Sequence, residues 1–534
     1  MPTPPVPDRY TSRFDQTYDV IVVGFGFAGA VAAIEAHDAG ARVLLIEKMP
    51  DPGGISICAG GGLRYGTDKE AAYEYVKATN AGKTPDDVIR AFADGMVELK
   101  DYLESLAHPV GATVEVIHRS ANYPFPGFDS LSFVQIEQVP GLDIDAEYPH
   151  VHGTRNSRGT HLFKVLHENI KRRGIEVRLG TPALRLITER NGETRGLWTG
   201  GAAGARAIAA RQGVILACGG FEAGTELQEQ YWQFGEVRSV AFRGNTGDAI
   251  KLGQDLGANL WHLWHFHGSY GFHHTDPAFP LGIRVKRLPD WTPGVNEPKV
   301  PMTWILVDKQ GRRFMNEYEP YFQDTGHRAL ERMDTTTQTP ANRPAFLIVD
   351  ELGRQRYPLA SVVYNDRDLP PYTWSADNLK EVENGILEVA QSVEELAAIL
   401  GAEPAQLQAS LDRWNAACEG GRDDDFGRPA GSMEPIRQAP FYVGKVWPVV
   451  SNTQGGIAHD AHQRVLNGYG EPIERLYVAG EAGSLWGHLY LVGGNLAECF
   501  ISGRIASDRV TGLPSWDQTS EPDIKHSDAM TTPA

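Results

Sequence analysis

The chain has 534 residues, too many for one ordinary core, and its 41% hydrophobic and 22% charged residues are those of a water-soluble globular protein of two or three domains. A formal net charge of −18 excludes non-specific binding to nucleic acid or to an anionic membrane surface. Four scattered cysteines (Cys58, Cys218, Cys418, Cys499) form no C-x-x-C pair, which excludes a zinc ribbon or disulfide framework and fits a reducing compartment.

No apolar run is long enough to span a bilayer, and the first residues lack the charged-then-apolar pattern of a secretory leader. The expected location is the cytoplasm. Residues 1–17 are Pro-rich and 513–534 polar, and both read as tails.

The stretch from Tyr18 to Lys48 organises the rest. Asp19 to Val23 is a short β-branched run that predicts a buried parallel strand. Gly24, Gly26 and Gly29 follow at G-x-G-x-x-G spacing, for a tight turn, close approach of backbone to a pyrophosphate, and helix–strand packing. Phe27 and Ala28 complete that turn. A helix is predicted over Ala30 to Ala39, ending at Gly40, with its N-terminal N–H groups toward the phosphates. A second strand, Arg42 to Ile46, runs into Glu47 and Lys48, where a carboxylate can accept adenosine ribose hydroxyls. Strand, glycines, helix, strand and acid in this order predict a dinucleotide site.

Downstream, Gly53-Gly54 and Gly60-Gly61-Gly62 bracket the small residues Ile55 to Ala59, which suggests backbone lying against a flat ligand. Cys58 reads as a packing residue in preference to a redox thiol. Residues 69–107 predict two surface helices, and Asn122 to Ser130 a loop. An amphipathic helix carrying Leu162, Val165, Leu166 and Ile170 precedes a small β-layer, and the strand Val214 to Ala217 ends at Cys218-Gly219-Gly220, where an open α/β sheet presents its crevice. From Trp261, WHLWHFHGSYGFHH carries five histidines among aromatic residues. It lacks the H-x-x-x-H and H-E-x-x-H spacings of a metal site, and a wall around an organic substrate is the better reading. The final third returns to glycine: a strand ends at Gly480-Glu481, and Gly493-Gly494-Asn495 opens a helix whose N-terminus favours an anionic group. The fold class is α/β: a Rossmann-like domain with a parallel sheet (residues 18–260 and 444–512) and an inserted α+β cap (261–443).

The motifs VVGFGFAGAVAA, Gly53-Gly54 with Ser56 and AGG after it, VILACGGFE, NTGDAIKLG, VDKQGRRFMNE and VAGEAG…GGN…GRIA resemble the FAD-dependent fumarate reductase/succinate dehydrogenase flavoprotein superfamily over nearly the whole chain. The resemblance implies FAD, bound non-covalently. It places Gly24, Gly26 and Gly29 at the diphosphate, Glu47 at the ribose, and Gly54 and Ser56 along the flavin, and counts Phe27, Ala28, Lys48, Ala59, Gly60 and Gly61 among the cofactor-binding residues. Ala183 then holds adenine by its backbone. Asp248 lies in the flavin-domain loop, Glu481 at the ribityl chain, and Asn495 and Leu496 at the isoalloxazine pyrimidine edge, with Ala217, Gly219, Gly220 and Gly480 also among the cofactor-binding residues.

Departures from the dicarboxylate-reducing members shape the functional expectation. The family's proton-donor Arg falls on Tyr321, its H-H-T-x-G-G reads Ser451-Asn452-Thr453-Gln454-Gly455-Gly456, and its carboxylate-binding Arg is Leu491. Without those cations fumarate loses its charge-assisted bonds. Asn316-Glu317-Tyr318-Glu319-Pro320-Tyr321 instead resembles the N-E-x-x-P-Y of the 3-ketosteroid dehydrogenase branch, and Tyr490 before Gly493-Gly494 resembles that branch's second Tyr. The resemblance implies desaturation beside the carbonyl of a cyclic ketone. Tyr321 takes the α-proton, helped by Tyr123 or Tyr318, and Tyr490 O–H with Gly494 N–H polarises the carbonyl. The electron acceptor is unidentified. An enoate- or urocanate-type reductase and a non-catalytic flavin-binding protein remain open as alternatives.

Overall fold

The computed structural model describes residues 7–153, 158–202, 204–285, 301–318 and 326–518. At its centre the strand Gln16–Val23 pairs in parallel with Val43–Ile46 on one side and Arg206–Leu216 on the other. Glu176–Arg178 and Pro472–Val478 extend the sheet outward, again in parallel, and antiparallel Arg464–Leu466 closes one edge. Alternation along the first strand sends Val20 and Val22 into one core and Ile21 and Val23 into another, so both faces are covered. Helices Phe27–Asp38, Arg158–Arg173 and Gly494–Thr511 cover the first face. The antiparallel hairpin Ala183–Thr188/Thr194–Thr199 and the helix Asp248–Gln254 cover the second.

A second eight-stranded sheet is built around Phe441–Thr453, which pairs antiparallel with Ala345–Asp350 and with Phe266–His273. The division at residues 443 and 444 falls within this strand, and Arg238–Ser239 also pairs with it. Helices Val393–Leu400 and Pro404–Gly420 pack their apolar residues on one of its faces. The two sheets are tied by Arg243, bidentate on Asp366 at 2.5 and 3.0 Å, by Arg367 on Asp51, and by Asn365 Nδ2, which donates to Gly54 O at 2.8 Å.

Several elements differ from the sequence-based expectation. The first helix starts at Phe27, directly after Gly26, because the turn needs no further residue. The strand expected over Val214 to Ala217 begins at Arg206, where the added hairpin lengthens it. Residues 69–107 form three helices, Lys69–Asn80, Asp86–Met96 and Leu99–Ala107. Pro85 opens the second, and a break at Val97 and Glu98 separates the third.

Candidate active site

The glycine turn is fixed by contacts that exclude a side chain. Gly24 has φ +104°, and a Cβ at Gly29 would lie 1.8 Å from Gly24 O, so the helix packs directly on the strand end. Ser56 covers the helix N-terminus, its hydroxyl accepting from Phe27 N–H at 3.3 Å. Glu47 is buried, with one carboxylate oxygen accepting from Phe25 N–H and the other from Met49 N–H, both at 2.9 Å. Burial raises its pKa against those two bonds. Lys48 reaches across to Asp248 at 2.7 Å and to the Thr246 hydroxyl at 2.8 Å.

These residues share one cleft. Gly24, Gly26, Phe27, Ala28, Glu47 and Lys48 line it together with Gly54, Ser56, Ala183, Ala217, Gly219, Asp248 and Glu481. Cys218, Phe242 and Asn245 also line it and were not assigned from sequence, although Asn245 stands within the NTGDAIKLG motif. Ser56 and Glu481 continue into a second, larger cavity of about 440 Å³, lined also by Ala59, Gly60, Tyr490, Asn495 and Leu496. Gly29, Gly61, Gly220 and Gly480 are packing glycines behind the two surfaces. A Cβ on Gly61 would meet Arg158 backbone at 2.3 Å, and one on Gly480 would meet Ala28 at 2.8 Å.

Tyr490 is held from several sides. Asn122 donates to Tyr490 O and accepts from Val492 N–H, both at 3.1 Å. Buried Arg64 donates to Val492 O at 2.9 Å. The Tyr490 hydroxyl accepts from Asn495 N–H at 3.3 Å, at the N-terminus of the helix Gly494–Thr511. Burial pushes the phenol up, so it stays protonated at neutral pH. The His267 ring lies 4.1 Å from the Tyr490 ring. Burial pushes His267 down to about 3, and its neutral ring donates from Nδ1 to Asn452 Oδ1 at 2.9 Å. His267 and Arg284 line the cavity, and Arg284 donates to the Ser451 hydroxyl. Sequence position alone does not bring these residues to Tyr490; the strand pairing of Phe266–His273 with Phe441–Thr453 does.

At the reacting end the structure departs from the expectations for Gly494 and for the histidine-rich stretch. Gly494 N–H donates to Leu491 O at 2.7 Å within the turn, so it is not open to a ligand, contrary to expectation. Tyr123 and Tyr318 are buried in different cores, Tyr123 under the first sheet and Tyr318 under the second. Tyr321 lies outside the described residues. The histidine-rich stretch forms no common wall. His262 stacks on Trp261 and bonds Lys83 O, His273 stacks on Trp447, and of the five only His267 lines the cavity. Among the described residues no three His, Cys, Asp or Glu side chains come together as a metal site.

The two cavities fit a flavin dinucleotide on features of the chain itself. Both side-chain atoms of Asn495, Oδ1 and Nδ2, are buried with no partner among the described residues, as a group facing an amide-like ring edge requires. Open glycine backbone at Gly54 and Gly60 leaves room for a flat ring above it.

Similarity to known proteins agrees with this geometry. A 3-oxosteroid 1-dehydrogenase of Mycolicibacterium smegmatis is 27% identical, the match covering 92% of this chain and 97% of that one. A digoxin reductase of Eggerthella lenta is 26% identical over 93% of this chain and 88% of its own. The crystal structure of 3-ketosteroid Δ1-dehydrogenase from Sterolibacterium denitrificans, in complex with 1,4-androstadiene-3,17-dione, shares the fold with a TM-score of 0.77 at 23% identity. That match covers 93% of this chain and 99% of that chain. The FAD binding domain family matches residues 19–496, and the chain belongs to that family as an FAD-dependent oxidoreductase.

Proposed function

We propose that the protein introduces a C=C bond next to the carbonyl of a cyclic, 3-ketosteroid-like ketone. The observation that carries this reading is the Tyr490 hydroxyl, protonated and fixed at a helix N-terminus, at the edge of a cavity whose lining also includes the flavin-edge residues Asn495 and Leu496. Bound FAD supplies the acceptor for the hydride that leaves the β-carbon. The chain does the rest. Tyr490 donates to the ketone oxygen and stabilises the negative charge that develops there as the α-proton leaves. Tyr321 accepts that proton, an assignment supported by the N-E-x-x-P-Y resemblance and by the steroid dehydrogenase relative. Phe133, Val240, Val363 and Leu496 give the cavity the apolar walls a fused-ring substrate needs.

Other roles at the site are part of the same proposal: Glu47 at the ribose, the glycine turn at the diphosphate, Ala183 at adenine and Asn495 at the pyrimidine edge. So is a cap formed by the second sheet. No described helix is long and apolar enough to cross a membrane, and we place the protein in the cytoplasm on its cysteine usage.

A second reading has one feature in its favour. Arg284 stands in the cavity beside Ser451 and Asn452, a position suited to a substrate carboxylate, which an enoate- or urocanate-type reductase would need. Arg243 offers no such site, being bidentate on Asp366. Dye-coupled assay against a panel of ketosteroids and cyclohexanones, beside unsaturated acids offered with a reduced donor flavin, separates the two. Bleaching of the flavin by a saturated ketone is the expected result; turnover of the acids alone would overturn the ketone reading.

A further inference from the structure

Glu222 has no part in the chemistry above. It follows the irregular segment Cys218–Gly219–Gly220–Phe221 after the strand Arg206–Leu216 and is 1% exposed. Its Oε1 accepts from Asn245 Nδ2 at 3.0 Å, and no described N–H or hydroxyl donates to its Oε2. Glu481 is its carboxyl neighbour: Gly220, two residues before Glu222, lies against Glu481 Oε1, and each carboxyl acts on the titration of the other. Glu481 Oε1 in turn accepts from Thr453 N–H at 2.7 Å and from the Thr453 hydroxyl at 3.1 Å. The fold makes room for this pair. A Cβ on Gly220 would lie 2.6 Å from Glu481 Oε1 and 1.9 Å from Thr453 Oγ1. Two carboxyls in contact away from water do not both ionise, and the pair holds one proton between them.

Of the described titratable groups nearby, all but Glu498 leave that proton to the pair. Lys48 is the nearby cation, and it is already engaged with Asp248. The Cys218 and Cys499 thiols are pushed up by burial and stay neutral. Glu47 uses both oxygens on backbone N–H groups. Glu498, on the closing helix, accepts from Leu485 N–H and the Ser484 hydroxyl, and burial pushes it up to about 8. Glu481 alone of these carboxyls lines both the dinucleotide cleft and the larger cavity.

We infer that Glu222 and Glu481 form a buried acid pair that takes up a second proton when the flavin is reduced, so that electrons entering the site are matched by a proton held in the protein. The balance is simple. Two electrons and one proton leave the flavin with one more negative charge; the pair, passing from one proton to two, loses one negative charge. Both protons come from solvent, and the net charge of the site is unchanged. Burial raises both carboxyls above the ordinary glutamate value, and a further negative charge in the same cleft raises both further. This inference rests on the FAD site and is independent of which substrate the enzyme oxidises.

The test uses the holoenzyme without any ketone. Photoreduction in weakly buffered solution at about pH 8, above the lower titration of the oxidised pair, should consume two protons per flavin in the wild type. Glu222→Gln keeps the shape but removes one of the two titrating carboxyls, and should consume about one proton fewer per flavin. The flavin midpoint potential of the wild type should then fall by about 30 mV more per pH unit than that of the variant, the value for one extra proton in a two-electron couple. One proton per flavin in the wild type, or equal slopes in both proteins, would overturn the inference. If the variant does not retain FAD, infrared difference spectra of the wild type decide. A neutral carboxylic acid gained on reduction supports the pair, and none gained overturns it.

Discussion

At the scale of single residues the proposed chemistry divides between a donor, Tyr490, and an acceptor of the proton, Tyr321. Tyr490→Phe keeps the ring against His267 and Trp486 but removes the hydroxyl. Turnover should fall by about two to three orders of magnitude, the effect of one oxyanion donor, with flavin content unchanged. Tyr321→Phe should lower turnover by about two to four orders. It should also abolish exchange of the substrate α-proton with D₂O when the flavin is kept reduced, which Tyr490→Phe slows but does not abolish. Near-full exchange in Tyr321→Phe would assign the base elsewhere.

At the scale of elements, two contacts are decisive. The first helix packs on the first strand only because residue 29 has no side chain: Gly29→Ala places a carbon 1.8 Å from Gly24 O. The helix must move, with a loss of about 1–3 kcal/mol and of FAD content, read by denaturant unfolding and by flavin absorbance. In the second sheet Glu317, fully buried, binds Arg313 at 2.7 and 3.0 Å and Arg428 at 3.4 Å. Burial opposes its ionisation, but the two guanidinium groups and Leu306 N–H outweigh it and hold the carboxyl below the usual glutamate value. Glu317→Gln leaves buried Arg428 without its paired carboxylate, while Arg313 keeps Asp423, and should destabilise by about 3–5 kcal/mol. A lowered folded pKa means that the stabilisation is present above the ordinary glutamate value and disappears as pH falls through the lower, folded one. The gap between wild type and variant in denaturant midpoint should therefore narrow on acidification below about pH 4. A gap that is constant with pH would show that packing, not charge, sets the difference.

At the scale of the whole molecule, the two sheets have separate cores and are joined through Arg243–Asp366, Arg367–Asp51 and the Asn365–Gly54 bond. FAD binds the folded chain on surfaces that disappear on unfolding. Excess FAD at about 100 times its Kd should thus raise stability by about 2.7 kcal/mol, seen as an unfolding temperature that climbs with FAD concentration. A midpoint insensitive to added FAD would contradict a reversible, non-covalent cofactor.

The sequence by itself determined what depends on near neighbours. Gly24, Gly26, Gly29 and Glu47 were legible because a tight turn, a helix start and a strand end impose local steric rules at fixed spacing. The amphipathic helix bearing Leu162, Leu166 and Ile170 was legible for the same reason, its period being set by the backbone. Tertiary structure decided the rest. Gly494 N–H turned inward to Leu491 O, a choice made by the turn that Asn122 and Arg64 clamp from elsewhere in the chain. His267 reached Tyr490, and Glu222 reached Glu481, across more than two hundred residues, through strand pairing and burial that no local pattern encodes. Spacing along a chain fixes backbone geometry within a turn or an element, whereas which polar groups share a buried site depends on how distant elements pack, and burial then sets their charge.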